Sequence, residues 1–283
     1  MNSILKQTLI SMRPLQWYKN LVIFIGIIFS HNIFSLEMWA YAIYAFIAFC
    51  IISGSIYIIN DVRDAAADRL HPKKKNRPIA AGYLAPKIGL IFATFLLIII
   101  LLVSAIINMP LAIVGTLYLL INFIYTFYLK NFALIDVMVV AIGFVLRAAA
   151  GALVIGVQIS HWLILCVFLM ALVLSFGKRR HELIVACNSR QCLSQYTEKM
   201  LDNFLSISVG MLLMSYALYS SFVNFYMMAT LPFAFYGVFR FMQLVYLNNF
   251  GGEAELILKD RASQVNLGLW IFVVILILYG GRA

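Results

Sequence analysis

Residues 38–59, MWAYAIYAFIAFCIISGSIYII, carry no charge, and they run straight into residues 60–78, NDVRDAAADRLHPKKKNRP, where charges crowd together. A transmembrane helix needs about 20 predominantly apolar residues, and the first stretch has that length. The second is too polar to enter lipid. Their junction therefore reads as a membrane helix that ends in a charged head at one membrane face.

The same reading extends outward. Apolar segments of this kind stand at 20–36, 38–59, 88–107, 110–129, 133–156, 160–176, 204–224, 226–247 and 266–281. They are continuous rather than alternating, which argues against a β-barrel. The predicted fold is an all-α polytopic membrane protein. Of the 283 residues, 64% are hydrophobic and 11% charged, against about 25% charged in a soluble domain. A length prior of about 150 residues per domain suggests two domains, but no polar linker divides the chain, so residues 1–283 read as one domain. Cys50 and Cys166 lie in apolar segments, and Cys187 and Cys192 in a polar loop. Their spacing suggests neither a zinc site nor a disulfide framework. The mixed start, with Lys6, Arg13, Pro14 and Lys19, does not read as a cleavable signal peptide.

The net charge of +10 is explained by orientation in the membrane rather than by nucleic-acid binding. Placing the N-terminus in the cytoplasm puts 60–87, 130–132, 177–203 and 248–265 inside. Those segments hold Arg63, Arg69, Lys73, Lys74, Lys75, Arg77, Lys87, Lys130, Lys178, Arg179, Arg180, Arg190, Lys199, Lys259 and Arg261, while the outside connections carry only Glu37. This is a positive-inside pattern. Asp61, Asp64, Asp68, Glu182, Glu198, Asp202, Glu253, Glu255 and Asp260 fall on the same side, which topology does not require. Any chemistry is therefore expected at the cytoplasmic face.

If the second span continues as helix past Asn60, the i, i+3, i+7 spacing puts Asp61, Asp64 and Asp68 on one face. Ala65, Ala66 and Ala67 favour helix there, and His71-Pro72 would end it. Three carboxylates on one face repel one another unless a cation sits among them. Mg²⁺ takes oxygen ligands and is usually held by one or two carboxylates plus substrate phosphates. Lys74 and Arg77 follow within reach of such phosphates. The bland alternative is a solvated loop stabilised by Asp–Arg pairs.

Elsewhere, Asp136 and Arg147 share a face of the fifth span with Gly143 and Gly151. Ionisable residues inside a membrane usually face a cavity or the bundle interior, and the glycines admit a backbone or a ligand. Arg147 either partners Asp136 or reaches a substrate phosphate. Trp17 and Tyr18 beside Arg13 and Lys19 read as an interfacial entry helix. Tyr128 reads as an aromatic-belt residue, and His31 and His161 need no functional reading.

The set Asn60, Asp61, Asp64, Asp68 and Arg77-Pro78 resembles the first aspartate-rich motif of the UbiA superfamily of membrane prenyltransferases. That resemblance implies nine helices around a central cavity. RPLQWYKN at 13–20, HPKKKNRPIAAG at 71–82, LRAAAGA at 146–152, KRRHEL at 178–183 and GGEAELILKDR at 251–261 are most similar to the branch that acts on decaprenyl phosphate. The resemblance implies transfer of 5-phosphoribose from phosphoribosyl diphosphate to a polyprenyl phosphate, with Mg²⁺ and with release of diphosphate. The product would feed an arabinose-type cell-envelope glycan. Tyr125 and Lys130 match a Tyr-then-Lys arrangement of the family. A second aspartate-rich motif is usual after the sixth span, but Lys178-Arg179-Arg180-His181-Glu182 stands there instead.

A basic second motif suits a reaction that brings together two anions, a diphosphate donor and a phosphate acceptor. Glu182 would orient Lys178 or join the magnesium shell; the bland reading of the three basic residues is a positive-inside anchor. No general base is needed, because the second pKa of a phosphate monoester is about 6. The expected site is thus Asp61, Asp64, Asp68 and Glu182 for catalysis, the three aspartates holding the metal. Asn60, Lys74, Arg77, Tyr125, Lys130, Arg147, Lys178, Arg179 and Arg180 are the expected substrate contacts. The expected setting is a bacterial inner membrane with the site cytoplasmic, and no nucleic acid as partner. A prenyltransferase with a prenyl diphosphate donor is the runner-up, and a transporter of anionic lipid a third reading.

Overall fold

The computed structural model describes residues 2–70, 74–158, 160–184, 191–247 and 260–280. Every regular element among them is helical. Helix α1 (Asn2–Ser11) precedes a 3-10 segment, Pro14–Phe24, that runs into the short α2 (Ile25–Phe29). Then come α3 (Leu36–Leu70), α4 (Pro86–Ile107), α5 (Met109–Phe127), α6 (Ile135–Val154) and α7 (His161–Ile184). Helices α8 (Glu198–Val223), α9 (Leu231–Leu247) and α10 (Arg261–Tyr279) complete the chain. Among the described residues, 8 helices are long and apolar enough to cross a membrane, and Pro14–Phe29 is a shorter apolar one. This is a multi-pass membrane protein.

The first expected span differs from the structure. The sequence predicts it at 20–36, but the helical segment starts at Pro14 and stops at Phe29. Pro14 fixes its own φ near the helical value and lacks an N–H to satisfy, so it opens the segment. A 3-10 helix rises about 2.0 Å per residue against 1.5 Å for an α-helix, so its first 11 residues stretch further than their number suggests. The entry helix expected around Trp17 is this 3-10 segment, with Trp17 Nε1 donating to Met12 O at 3.3 Å.

Helix α3 is the element that positions the site. It has 35 residues and is therefore about 52 Å long, whereas the hydrocarbon core is about 30 Å thick. The excess is the charged extension from Asn60 to Leu70. The expected stop at His71-Pro72 lies outside the described residues, as do Lys73, Cys187, Arg190, Glu253, Glu255, Lys259 and most of the 251–261 motif.

The chain packs as two compact units. The first comprises Met1–Ile27, Asn32–Phe127 and Leu146–Gln158. In it, Met12, Ile58, Ile79, Leu84 and Ala93 form one buried cluster. Gly89 in α4 permits this, since a Cβ there would stand 3.3 Å from Ile58 and 3.5 Å from Leu84. Gly151 does the same for backbone: its added Cβ would lie 1.9 Å from Ile23 O. The glycine face read from the sequence thus admits a neighbouring backbone.

The second unit comprises Ile28–His31, Tyr128–Val145 and Ile159–Ala283. Here α7 packs along α8, and Gly177 leaves room for the Phe241 ring, whose Cζ would be 3.0 Å from a Cβ at that position. Tyr216 accepts a 2.9 Å hydrogen bond from Trp270 Nε1 and pairs with the Thr230 hydroxyl at 2.6 Å.

Candidate active site

In the first unit, the extension of α3 does carry Asp61, Asp64 and Asp68 as helix. Asp61 and Asp68 are 2% and 4% exposed, while Asp64 and Asn60 are partly exposed. Arg77 bridges the two buried acids: its Nη1 donates to Asp61 Oδ1 at 3.1 Å and to Asp68 Oδ2 at 2.6 Å. Arg13 donates through Nη2 to the same Asp61 Oδ1, and its guanidinium lies 4.8 Å from the centre of the Tyr57 ring. Asp–Arg pairs are present, as the bland reading expected. The solvated loop is not, because buried carboxylates pay a desolvation cost that only close partners offset.

Local packing explains why two arginines reach one oxygen. Arg77 precedes Pro78, Ile79 and Ala80, all buried, with Ile79 in the cluster described above. The chain then turns at Gly82, whose φ of 82° is natural only to glycine. Arg13 follows Met12, a member of the same cluster, and sits at φ 54°, ψ 66°. That left-handed conformation costs a non-glycine residue free energy. Arg63 and Arg69 brace the extension from other sides. Arg63 Nη2 donates to Phe127 O at 3.1 Å, and Arg69 Nε to Ala80 O at 3.3 Å. Lys74 opens the 3-10 turn Lys74–Asn76, and Arg77 N donates to its carbonyl at 3.0 Å.

The donor set fits Mg²⁺ in kind, being carboxylate oxygens on one rigid helix face. In the present arrangement Arg13 and Arg77 stand at those oxygens, and among the described residues no three His, Cys, Asp or Glu side chains are grouped to hold a metal.

Arg147, also in the first unit, is 5% exposed. Its Nε donates to Asn20 Oδ1 at 2.7 Å and its Nη2 to Tyr118 Oη at 2.6 Å. The reading of Arg147 as the partner of Asp136 is corrected: Asp136 takes Arg179. Eleven helical residues separate Asp136 from Arg147 by about 16 Å along the axis, beyond the reach of an ion pair. Tyr125 lies in the last turn of α5, partly exposed.

In the second unit, the end of α7 carries the basic motif. Asp136 is fully buried and Arg179 is 3% exposed. Arg179 Nε donates to Asp136 Oδ2 at 2.6 Å, and its Nη1 to Glu182. Glu182 thus accepts from Arg179, a partner in addition to the Lys178 that the sequence suggested. Tyr196 donates to Asp136 Oδ1 at 3.1 Å and accepts from Leu134 N at 2.6 Å. Burial raises the phenol above its ordinary range, so it stays a donor. Arg180 Nε and Nη2 donate to Asp202 at 2.6 Å and Glu198 at 2.7 Å, with the guanidinium 4.5 Å from the Tyr246 ring centre. Lys178 is partly exposed, and Lys130 sits in the 3-10 turn Leu129–Asn131.

Sequence reasoning missed Arg13, Asn20, Tyr118 and Tyr196. Arg13 and Asn20 both fall in the 13–20 stretch already singled out as a motif. Tyr118 and Tyr196 had no signal to separate them from packing aromatics.

The matches to known proteins agree with this geometry. The model of the UbiA prenyltransferase family matches residues 21–259. A decaprenyl-phosphate phosphoribosyltransferase of Mycolicibacterium smegmatis is 30% identical, over 92% of this chain and 89% of its own. The enzyme of that name from Corynebacterium glutamicum is 30% identical over 95% and 86%. Among solved structures, a UbiA homolog from Archaeoglobus fulgidus bound to DMAPP and Mg²⁺ superposes with a TM-score of 0.76 at 16% identity, covering 96% of this chain and 99% of that one. A match across most of the chain, with the Asp61–Asp68 stripe inside it, shows that this multi-pass helical protein belongs to the UbiA prenyltransferase family.

Proposed function

We propose that the chain is a Mg²⁺-dependent transferase that moves 5-phosphoribose from phosphoribosyl diphosphate to a polyprenyl phosphate of the decaprenyl class. The observation that carries this reading is the near-full-length similarity to enzymes named decaprenyl-phosphate phosphoribosyltransferase. Asp61, Asp64 and Asp68 would hold the metal, which would neutralise charge on the departing diphosphate. Asn60, Lys74 and Arg77 line the same end of α3 and suit the donor's phosphates. An ionised oxygen of the acceptor phosphate bonds to C1 of the ribose as the C1–O bond to diphosphate breaks, and the electron pair leaves with diphosphate. No proton moves, so the chain's work is positioning and charge stabilisation. Tyr125, Lys130, Arg147, Lys178, Arg179 and Arg180 are assigned to the remaining phosphates, and Glu182 to orienting that basic cluster or joining the magnesium shell. The charge distribution supports a site at the cytoplasmic side, the bacterial relatives support an inner-membrane setting, and the lack of a dividing polar linker supports a single domain.

The test is incubation of purified protein in liposomes with labelled phosphoribosyl diphosphate, Mg²⁺ and a panel of polyprenyl phosphates. A labelled lipid with the mass of polyprenyl-phosphoribose is expected, and Asp61→Asn and Asp68→Asn should abolish it. A parallel arm supplies a prenyl diphosphate and a small aromatic acid. Prenylated acid with no phosphoribosyl lipid would overturn the reading in favour of prenyl transfer.

A further inference from the structure

Asp61 Oδ1 receives two guanidinium groups, from Arg13 and Arg77, and Arg77 also holds Asp68. Two buried carboxylates are thus matched by two arginines. One divalent cation carries the same charge as that arginine pair, so exchanging the pair for a metal leaves the carboxylates equally compensated. The displaced arginines then offer planar donor forks beside the metal, where a diphosphate would lie.

We propose that Arg13 is a donor-recognition residue that rests on Asp61 and is transferred to a donor phosphate when a divalent metal takes its place. The inference rests on the proposed reaction only for the identity of the donor.

Three observations favour Arg13 as a residue that moves at its tip while its backbone stays fixed. Its main chain is held on both sides: Arg13 N donates to Ile10 O at 3.0 Å, and Gln16 N donates to Arg13 O at 2.8 Å. The preceding Met12 is 3% exposed and fills the notch of Gly54, where an added Cβ would stand 2.8 Å from the methionine methyl. The Arg13 side chain itself is 25% exposed and lies over the Tyr57 face, which steadies the cation without immobilising it. The left-handed backbone at Arg13 is strain kept at a functional position, since asparagine or glycine would adopt it more readily. A merely structural partner for Asp61 has no need of it, because Arg77 already reaches the same oxygen.

The exchange makes a prediction that a static ion pair does not. Arg13 competes with metal at Asp61, so removing it strengthens metal binding in the absence of donor and weakens donor binding. The experiment titrates the full-length protein in detergent with Mn²⁺, read by electron paramagnetic resonance, with and without inorganic diphosphate or phosphoribosyl diphosphate. Arg13→Asn suits the left-handed backbone. It should bind Mn²⁺ alone about tenfold more tightly than the unaltered protein and bind diphosphate about tenfold more weakly, as losing one charge-assisted hydrogen bond implies. Arg13→Lys keeps the charge without the fork and should fall between the two. In the unaltered protein, saturating diphosphate should tighten Mn²⁺ by about tenfold or more, a coupling that needs no variant to measure.

Unchanged or weaker Mn²⁺ binding in Arg13→Asn would overturn the exchange. So would tighter metal binding with unaltered diphosphate affinity, or the absence of metal–diphosphate coupling in the unaltered protein. The metal-only titration contains no donor, so its failure leaves the proposed reaction standing. Failure of phosphoribosyl transfer with a positive titration leaves the exchange standing for another diphosphate donor.

Discussion

Gly151→Ala tests how α6 is held against the Pro14–Phe24 segment within the first unit. The added Cβ would stand 1.9 Å from Ile23 O, 2.7 Å from Ile23 C and 2.9 Å from Ile23 Cα. All three are backbone atoms, so no rotamer change relieves the overlap. Reaching an ordinary carbon contact of about 3.5 Å requires the two backbones to part by about 1.6 Å. Asn20, three residues before Ile23, accepts from Arg147 Nε at 2.7 Å, and that bond cannot survive such a shift. Overpacking costs about 1–3 kcal/mol, and a lost hydrogen bond to a charged group about 1.5–3 kcal/mol. Together they predict a loss of about 2.5–6 kcal/mol, a large part of the roughly 5–15 kcal/mol that holds a typical native protein. Unfolding of the purified protein in mixed micelles with increasing dodecyl sulfate measures it. Gly210→Ala is the control, since its Cβ would meet nothing within 4 Å; it should be neutral or stabilise by up to about 1 kcal/mol through helix propensity. A Gly151→Ala protein within about 0.5 kcal/mol of the unaltered one would refute the close-approach argument.

Three further outcomes follow from the ion pairs of the second unit. Asp136→Asn leaves the buried Arg179 with Glu182 alone, so stability in the same assay should fall toward the lower end of the roughly 3–5 kcal/mol that breaking a buried pair costs, and adding Arg179→Gln should recover part of it. Arg180→Gln removes a partner from Glu198 and Asp202, both reachable by solvent; insertion by protease protection should stay normal while kcat/KM with phosphoribosyl diphosphate falls about ten- to hundredfold, and wild-type kinetics would return Arg180 to an anchoring role. Asp260 caps α10 and is held well below the usual carboxylate range, first by Arg240 and then by Ser263. A depressed folded-state pKa gives stability that is fully present above the ordinary value of 3.8 and is lost only as pH falls from there through the depressed folded value, so Asp260→Asn should be the less stable protein at pH 6, with the gap in melting temperature beginning to narrow only below about pH 4.

The sequence made the membrane helices legible because lipid imposes a simple rule on every segment it touches: long, apolar and uncharged. It also made legible that α3 outlasts the membrane, since Ala65–Ala67 and the Asp spacing both favour continued helix. The first span departs from that rule for a physical reason. The rule counts α-helical residues, and Pro14–Phe24 is a 3-10 helix, whose greater rise per residue breaks the count.

Partnership was the part that could not be read. Helical periodicity tells which residues share a face, and it put Asp136 and Arg147 together correctly on that criterion. It does not tell which neighbouring helix faces them. Asp136 meets Arg179 from α7, and Arg147 meets Asn20 and Tyr118 from the entry segment and α5; each partner lies 29 or more residues away in sequence. The same limit hid Arg13, 48 residues from Asp61. A buried charge must find a partner wherever the fold supplies one, so a sequence can say that Asp61 needs a cation without saying which. In the structure Arg13 and Arg77 satisfy that need, and in the proposed exchange a divalent metal would take it over. The two buried carboxylates of the stripe are compensated by arginine in the structure, so on the proposed exchange the two arginines are the groups whose position would change when metal binds.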